Sequence, residues 1–434
     1  MKQRFALRSG ALVLSESSRA LPVVGVSLSL RTGSLFDPQG KEGLARLMTR
    51  AMRMGTKDLR SLELEETLDR LGAQLSMSCS QSYMHFGGVV VAHNLEPFLD
   101  LLAAVLQRPA FRPADVRQAK REMIADLTAL CDDDRSLCAR HFRSYAFHDH
   151  PYGRPRSGSR TSVARIEPSD VVRHHRRHLC GRNVVIGVWG DFAPSKLETL
   201  LDHRFGRLST QAPPKLALPE PTLAKGRRIL IVDKPERTQT QILVGTLGTS
   251  PHDADHVPLI VANAAFGGLF SSRLTSEVRG KRGLSYGANS SFTLSRTRDL
   301  WAMHTFPAAR DALACLELQL ELYDAWVRRG VTAREVRAAK SYLVKGHAFE
   351  VDTAAKRLDH VLDVELLGWP KSHHGRFVER VRRVSPIAAC RALQRRLSRE
   401  DQVIVVVATA DQIRPELEKL DRVERIEVVR FDEI

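Results

Sequence analysis

The chain has 434 residues, of which 43% are hydrophobic and 27% charged; this excludes one small domain and a disordered chain, and suits two domains of about 200 residues. The formal net charge is +16. No apolar run approaches the roughly 18 residues of a membrane span, and the six cysteines (Cys79, Cys131, Cys138, Cys180, Cys315, Cys390) are scattered without a Cys-x-x-Cys, as in a reduced compartment with no structural zinc.

In chain order, residues 4–14 and 23–30 read as two strands of the fold. Arg8, Ser15, Glu16 and Ser17 break the early apolar segment, so no export signal is expected and the cytoplasm is the expected compartment. Next comes a helix over 43–54, where Leu44, Leu47, Met48, Ala51 and Met52 recur at helical spacing and form an inward face. Arg46, Thr49, Arg50 and Arg53 share the opposite face. That frame suits an inverted zinc motif, His-x-x-Glu-His, whose histidines would stand one turn apart at positions 46 and 50 with the Glu at 49. The residues present are Arg46, Thr49 and Arg50. A guanidinium has no lone pair to offer, so no catalytic zinc is expected here.

Residues 135–182 hold eleven arginines against Asp149, Glu167 and Asp170, a surplus of eight positive charges. No recognition motif accompanies them and aromatics do not alternate with them, so an acidic protein partner is expected rather than nucleic acid. Within this stretch His174, His175 and His178 sit among arginines that repel a metal cation, and a solvated helix face is expected. His252-Asp253-Ala254-Asp255-His256 has a metal-like spacing, but Pro251 precedes it and a helical pattern follows, so its acids suit a helix N-terminus. Residues 263–269 lack the Gly-Lys-Ser/Thr ending of a phosphate loop and read as a helix-to-loop segment.

Val116-Arg117-Gln118-Ala119-Lys120 recurs as Val336-Arg337-Ala338-Ala339-Lys340, and a strand over 183–188 recurs over 402–407, at offsets near 220. Two matches at nearly one offset indicate a duplicated domain. Pro213, Pro214, Pro219 and Pro221 mark an extended linker between the copies. The expected division is a domain over 1–209, a linker over 210–226 and a second domain over 227–434. Each is α+β, a mainly antiparallel sheet covered by helices.

Taken together, Thr32-Gly33-Ser34, Gly43-Leu44-Ala45, Gly55-Thr56, the run from His150 to Pro155, Gly190-Asp191, Ser272-Arg273-Leu274 and the run from Val278 to Tyr286 resemble the pitrilysin-type inverted zincins, in the subgroup of mitochondrial processing peptidase and its bacterial relatives. The resemblance covers nearly the whole chain and implies two tandem homologous domains arranged as a clamshell. It places the family's third zinc ligand at Asp126, where Arg46 and Arg50 facing a carboxylate suggest an ion pair in the metal's place. It also places the family's Arg and Tyr, seven residues apart, at Arg279 and Tyr286. A Tyr hydroxyl donates to an oxyanion and an Arg holds a substrate carbonyl by a forked contact. Losing the zinc set and keeping the Arg/Tyr set implies the non-catalytic subunit of a heterodimer, with no cofactor of its own. Zinc, peptide cleavage and an intact His-x-x-Glu-His are expected in a homologous partner. The alternatives are a structural scaffold and a peptide-binding homologue with no part in catalysis.

Overall fold

The computed structural model describes residues 2–433, and among them twelve strands form two six-stranded sheets. Lys2–Ala6 (β1), Leu12–Ser17 (β2), Val23–Leu30 (β3), Gln74–Cys79 (β4), Met84–Val91 (β5) and Val184–Gly190 (β6) make the first, in the order β1-β2-β6-β3-β5-β4. Arg227–Asp233 (β7), Gln241–Leu247 (β8), Ala288–Phe292 (β9), Leu300–Thr305 (β10), Gln402–Ala408 (β11) and Val423–Arg430 (β12) make the second, in the order β12-β7-β11-β8-β10-β9.

The two orders are one topology used twice. β7, β11, β8, β10 and β9 occupy the places of β2, β6, β3, β5 and β4, with the parallel pair β2–β6 matched by β7–β11. The copies differ at one edge: β1 forms an antiparallel hairpin with β2, whereas β12 runs parallel to β7. Side chains repeat as well as strands. Lys120 donates to the carbonyls of Ala164 and Ile166 (2.6 and 2.8 Å), and Lys340, its counterpart, donates to those of Arg382 and Val384.

Alternation explains the first sheet. Val24, Val26, Leu28 and Leu30 of β3 point into the core, while Ser27 and Ser29 take the other face, where Ser27 hydrogen-bonds His85. β11 is an unbroken apolar run, Val403 to Val407, and is buried throughout because both its faces are covered. In the second core Phe266 stacks on Trp326 with ring centroids 4.3 Å apart, and the Trp301 indole N–H donates to Asn263 Oδ1 at 2.7 Å. The helical run His256–Lys281, which by length and composition alone would cross a membrane, supplies part of this core, and 61% of its apolar window is buried.

The compact units are not the contiguous domains expected from the repeat. One comprises the chain through Leu127 with Pro155–Ala217 and Phe349–Gly368; the other comprises Thr128–Arg154, Leu218–Ala348 and the chain from Trp369 onward. Each half of the sequence thus gives one helical segment to the sheet of the other. The helix Asp134–Ala146 lies on β8 and β11, and the place a Cβ on Gly245 would take is 2.6 Å from the Phe142 ring, so only glycine leaves room for that ring. The helix Ala354–Leu367 lies on β2 and β6, where Leu362 and Leu358 pack 3.0 and 3.1 Å from the place a Cβ on Gly187 would take. Ion pairs fasten both. Arg143 forks onto Asp299 with both contacts at 2.9 Å, and Lys234 reaches Asp134. In the first unit Arg357 holds Glu16 at 2.8 Å and Arg4 holds Glu365 at 2.6 Å.

Asp299 is fully buried, and its carboxylate also takes hydrogen bonds from Ser295 Oγ and the Leu300 N–H. Removing it leaves the Arg143 cation facing an apolar core without its fork. Asp299→Ala is therefore expected to cost about 3 kcal/mol or more, read as a lowered urea midpoint, whereas Arg310→Ala at a pair with an exposed cation should cost under about 1 kcal/mol.

Candidate functional site

The helix Leu44–Arg53 starts at Gly43, whose φ of 96° and tight approach to the Ser157 carbonyl admit only glycine. Asp37 caps this start by accepting from the N–H groups of Gly43 and Ala45, both at 2.8 Å. Burial nevertheless pushes the Asp37 carboxyl up to about 7. Leu44, Leu47, Met48, Ala51 and Met52 are all buried, so the inward face matches the pattern of the sequence.

The outward positions carry no metal chemistry. Arg46 is exposed and makes no hydrogen bond or ion pair among the described residues. Thr49 is buried, against the outward position its spacing suggests, and donates its hydroxyl back to the Ala45 carbonyl at 2.8 Å; a neutral alcohol is too weak a base to replace the Glu. Arg50 donates from Nη2 to Asp126 Oδ2 at 2.8 Å, its Nε lies 4.0 Å from Glu122 Oε2, and its Nη1 is buried without a partner. The arrangement thus brings Arg50 and Asp126 together and leaves Arg46 apart. Two guanidiniums and a back-bonded hydroxyl do not fit zinc, and no group of three or more His, Cys, Asp or Glu among the described residues can hold a metal ion.

Arg279 and Tyr286 sit in the second unit. Arg279 lies in a π-helical turn, Ser276–Lys281, and such turns re-aim side chains relative to a regular helix. Arg273 braces the preceding turn through a forked contact with Glu335 (3.2 and 2.9 Å), and Thr275 Oγ1 donates to the Ala288 carbonyl at 2.8 Å. After the turn at Gly283, with φ 61°, Ser285 is buried and its hydroxyl donates to the Gly287 carbonyl while accepting from the Phe306 N–H. Anchoring Ser285 inward sends its neighbour Tyr286 outward, 76% exposed, two residues before the edge strand β9.

The Arg279 guanidinium carbon stands 4.4 Å from the centre of the Tyr286 ring and 4.9 Å from that of Phe270. The guanidinium has no carboxylate partner among the described residues, because nearby Glu277 is taken by Lys281 at 2.6 Å. The result is a half-buried guanidinium between exposed rings, with unclaimed N–H donors and a free phenol. Phe270, also 76% exposed, was not singled out from the sequence. The signal was a large apolar residue in the turn after Gly267-Gly268-Leu269.

One histidine reading changes. His174, His175 and His178 are buried rather than solvated: His175 Nε2 meets the Leu106 carbonyl at 2.7 Å, and His178 Nδ1 pairs with Thr32 Oγ1 at 3.2 Å. They pack inward because Val171 and these three rings share one helix face, while Arg173, Arg176 and Arg177 take the other. His252 is exposed and His256 buried, while Asp253 pairs with Arg298 and Asp255 with Arg395 and Arg396, so this cluster lies at the start of a helix and braces it by ion pairs. His150 is structural: Nδ1 accepts from the Tyr152 N–H and Nε2 meets the Pro219 carbonyl. The basic stretch is divided, with Arg135, Arg140, Arg143 and Arg154 in one unit and the arginines from Arg156 onward in the other.

Two family profiles match the chain in tandem: insulinase (peptidase family M16) over residues 12–160 and the peptidase M16 inactive domain over residues 165–343. An uncharacterised zinc protease of Mycobacterium leprae is 25% identical over 350 residues, spanning 79% of this chain and 77% of its own. The crystal structure of a peptidase M16 inactive domain from Pseudomonas fluorescens superposes with a TM-score of 0.86 at 23% identity, over 94% of this chain and 97% of that one. The periplasmic protease PqqL from Escherichia coli superposes with a TM-score of 0.78 at 14% identity, and 96% of this chain there corresponds to only 48% of that chain.

Burial holds His174 at about 3 and His178 at about 4, below the ordinary histidine value, with neighbouring cations adding to the effect. Above about pH 6.5 both rings are neutral whether folded or unfolded. As the pH falls below that value, the unfolded chain takes up protons that the fold refuses, and stability drops by about 1.4 kcal/mol per pH unit for each ring until the folded values are reached. Chemical denaturation at pH 7 and pH 5.5 should show this loss, and His174→Gln should flatten the slope. Asp126→Asn, at a half-exposed pair, should move the midpoint by less than about 1 kcal/mol.

Proposed function

The chain belongs to the pitrilysin-like M16 peptidase family and lacks that family's zinc motif, and from this premise we propose that it is the non-catalytic subunit of a heterodimeric zinc metalloendopeptidase. Its partner in this reading is a homologue with an intact His-x-x-Glu-His, which holds the zinc. This chain supplies Arg279 and Tyr286 to the shared site. One observation carries the reading: where the family resemblance expects metal ligands and a base the chain has Arg46, Thr49, Arg50 and Asp126, while the exposed Tyr286 ring lies against a half-buried Arg279, neither with a hydrogen-bond partner among the described residues.

The roles follow from the chemistry of the two groups. The Tyr286 phenol is free to donate to an oxygen that gains negative charge at a scissile carbonyl, and such a donor is worth most where the charge develops. Arg279 offers a planar fork to a backbone carbonyl of the same peptide. β9 pairs only with β10 among the described strands, but its outward Ala288 and Ser290 carbonyls accept from Thr275 Oγ1 and Asn263 Nδ2, so in this reading the peptide is held by Arg279 and Tyr286 rather than by strand addition at β9. A paired arrangement is supported by the likeness to PqqL, to which this chain corresponds over about half the length.

Alone, the chain is expected to carry no zinc and to cleave no peptide; equimolar zinc with hydrolysis by the isolated chain would overturn the reading. In the reconstituted heterodimer, Tyr286→Phe is expected to lower kcat by about 10²–10³. Unchanged turnover would favour the scaffold reading, in which the chain only supports its partner.

A further inference from the structure

We propose that Phe270 is a third member of this site, a positioning residue that, with Tyr286, holds Arg279 ready and selects peptides with a large apolar side chain beside the bound carbonyl. The inference rests on the reading that Arg279 and Tyr286 meet a peptide. It goes further by assigning a residue and a substrate class.

The backbone around Phe270 is fastened on both sides. Leu269 packs against the core of the second unit, and its carbonyl accepts from the Ser272 N–H at 3.0 Å. Phe270 is thus presented at the apex of a closed turn, where its ring is 76% exposed. A phenylalanine left in water forgoes the gain of burial, so its place calls for another contact, and the contact present is with Arg279 at 4.9 Å. The second ring, Tyr286, stands at 4.4 Å.

An arginine with no carboxylate partner normally samples many rotamers, and that freedom is lost when it binds. Two rings against the guanidinium restrict it beforehand without consuming its N–H donors, since the attraction runs through the ring faces. The same two rings form an exposed apolar surface beside the donors. A peptide that offers a carbonyl to Arg279 therefore lays its adjacent side chain on aromatic surface, which favours a large apolar residue over alanine.

The full-length chain serves for the test, with fluorescence anisotropy of a fluorescein-labelled Gly-Ser-Ala-Phe-Ala-Ser-Gly peptide and its counterpart with Ala in place of Phe. The Phe peptide should bind at least five-fold tighter. Phe270→Ala and Arg279→Ala should each abolish that preference, Phe270→Trp should retain it, and the double alanine variant should be no worse than Arg279→Ala. A second readout needs no ligand: the Arg279 side-chain resonances, assigned through Arg279→Lys, should be shifted by ring currents and should move on Phe270→Leu. Wild-type binding by Phe270→Ala alongside a loss in Arg279→Ala, or resonances unmoved by Phe270→Leu, overturns the role of Phe270 and leaves the Arg/Tyr site standing. Wild-type binding by Arg279→Ala, or no binding of either peptide, overturns both.

Discussion

Each sheet is completed by a helix that belongs, in chain order, to the other half of the sequence, and the rest of the fold depends on that exchange. Phe142 needs Gly245 beneath it, and Leu358 and Leu362 pack closely on Gly187. Arg143 on Asp299 and Arg357 on Glu16 then fasten the two helices to sheets that their own halves do not supply. Each half of the sequence thus lacks one helix that covers its own sheet, although the strand orders show that the two copies share one plan. The packing of each copy is therefore tied to a segment of the other half of the chain.

That constraint accounts for a metal helix that has lost its chemistry and kept its shape. The inward face, from Leu44 to Met52, is part of the core and cannot change without opening cavities. Arg46 and Arg50 lie on the outward face, where changes cost the fold little, and Arg50 pairs there with Asp126. The half-exposed setting of that pair makes it a weak tie, so stability here comes from the apolar stripe. Arg279 and Tyr286 show the reverse pattern. The exposure of Tyr286, the lack of hydrogen-bond partners for either group among the described residues and the anchoring of Ser285 beside them give nothing evident to stability, so their arrangement calls for a functional explanation.

Periodicity and repeats made much of this legible in the sequence. The alternation of β3, the apolar run of β11, the stripe on the Leu44–Arg53 helix and the offset linking Lys120 to Lys340 each report a local or duplicated pattern. The helix exchange was not legible, because an apolar stripe states that a helix covers a sheet and not which sheet. The proline-rich run marked the join of the repeat, whereas the compact units are divided elsewhere as well. His174, His175 and His178 were misread for a related reason: arginines interleaved among them suggested a polar helix, yet the two kinds of residue segregate onto opposite faces. Phe270 went unnoticed because a single apolar residue in a turn has no period, and only its distance to Arg279 gives it meaning.

The central claim is a division of labour between two related chains, and the composition of the native assembly tests it most directly. The account predicts that native mass spectrometry of the tagged chain, isolated from its own cells, finds one copy bound to one homologue bearing His-x-x-Glu-His, with a single zinc per pair that stays with the homologue on dissociation. Zinc retained by this chain, or an assembly built only of its own copies that cleaves peptides, would contradict it.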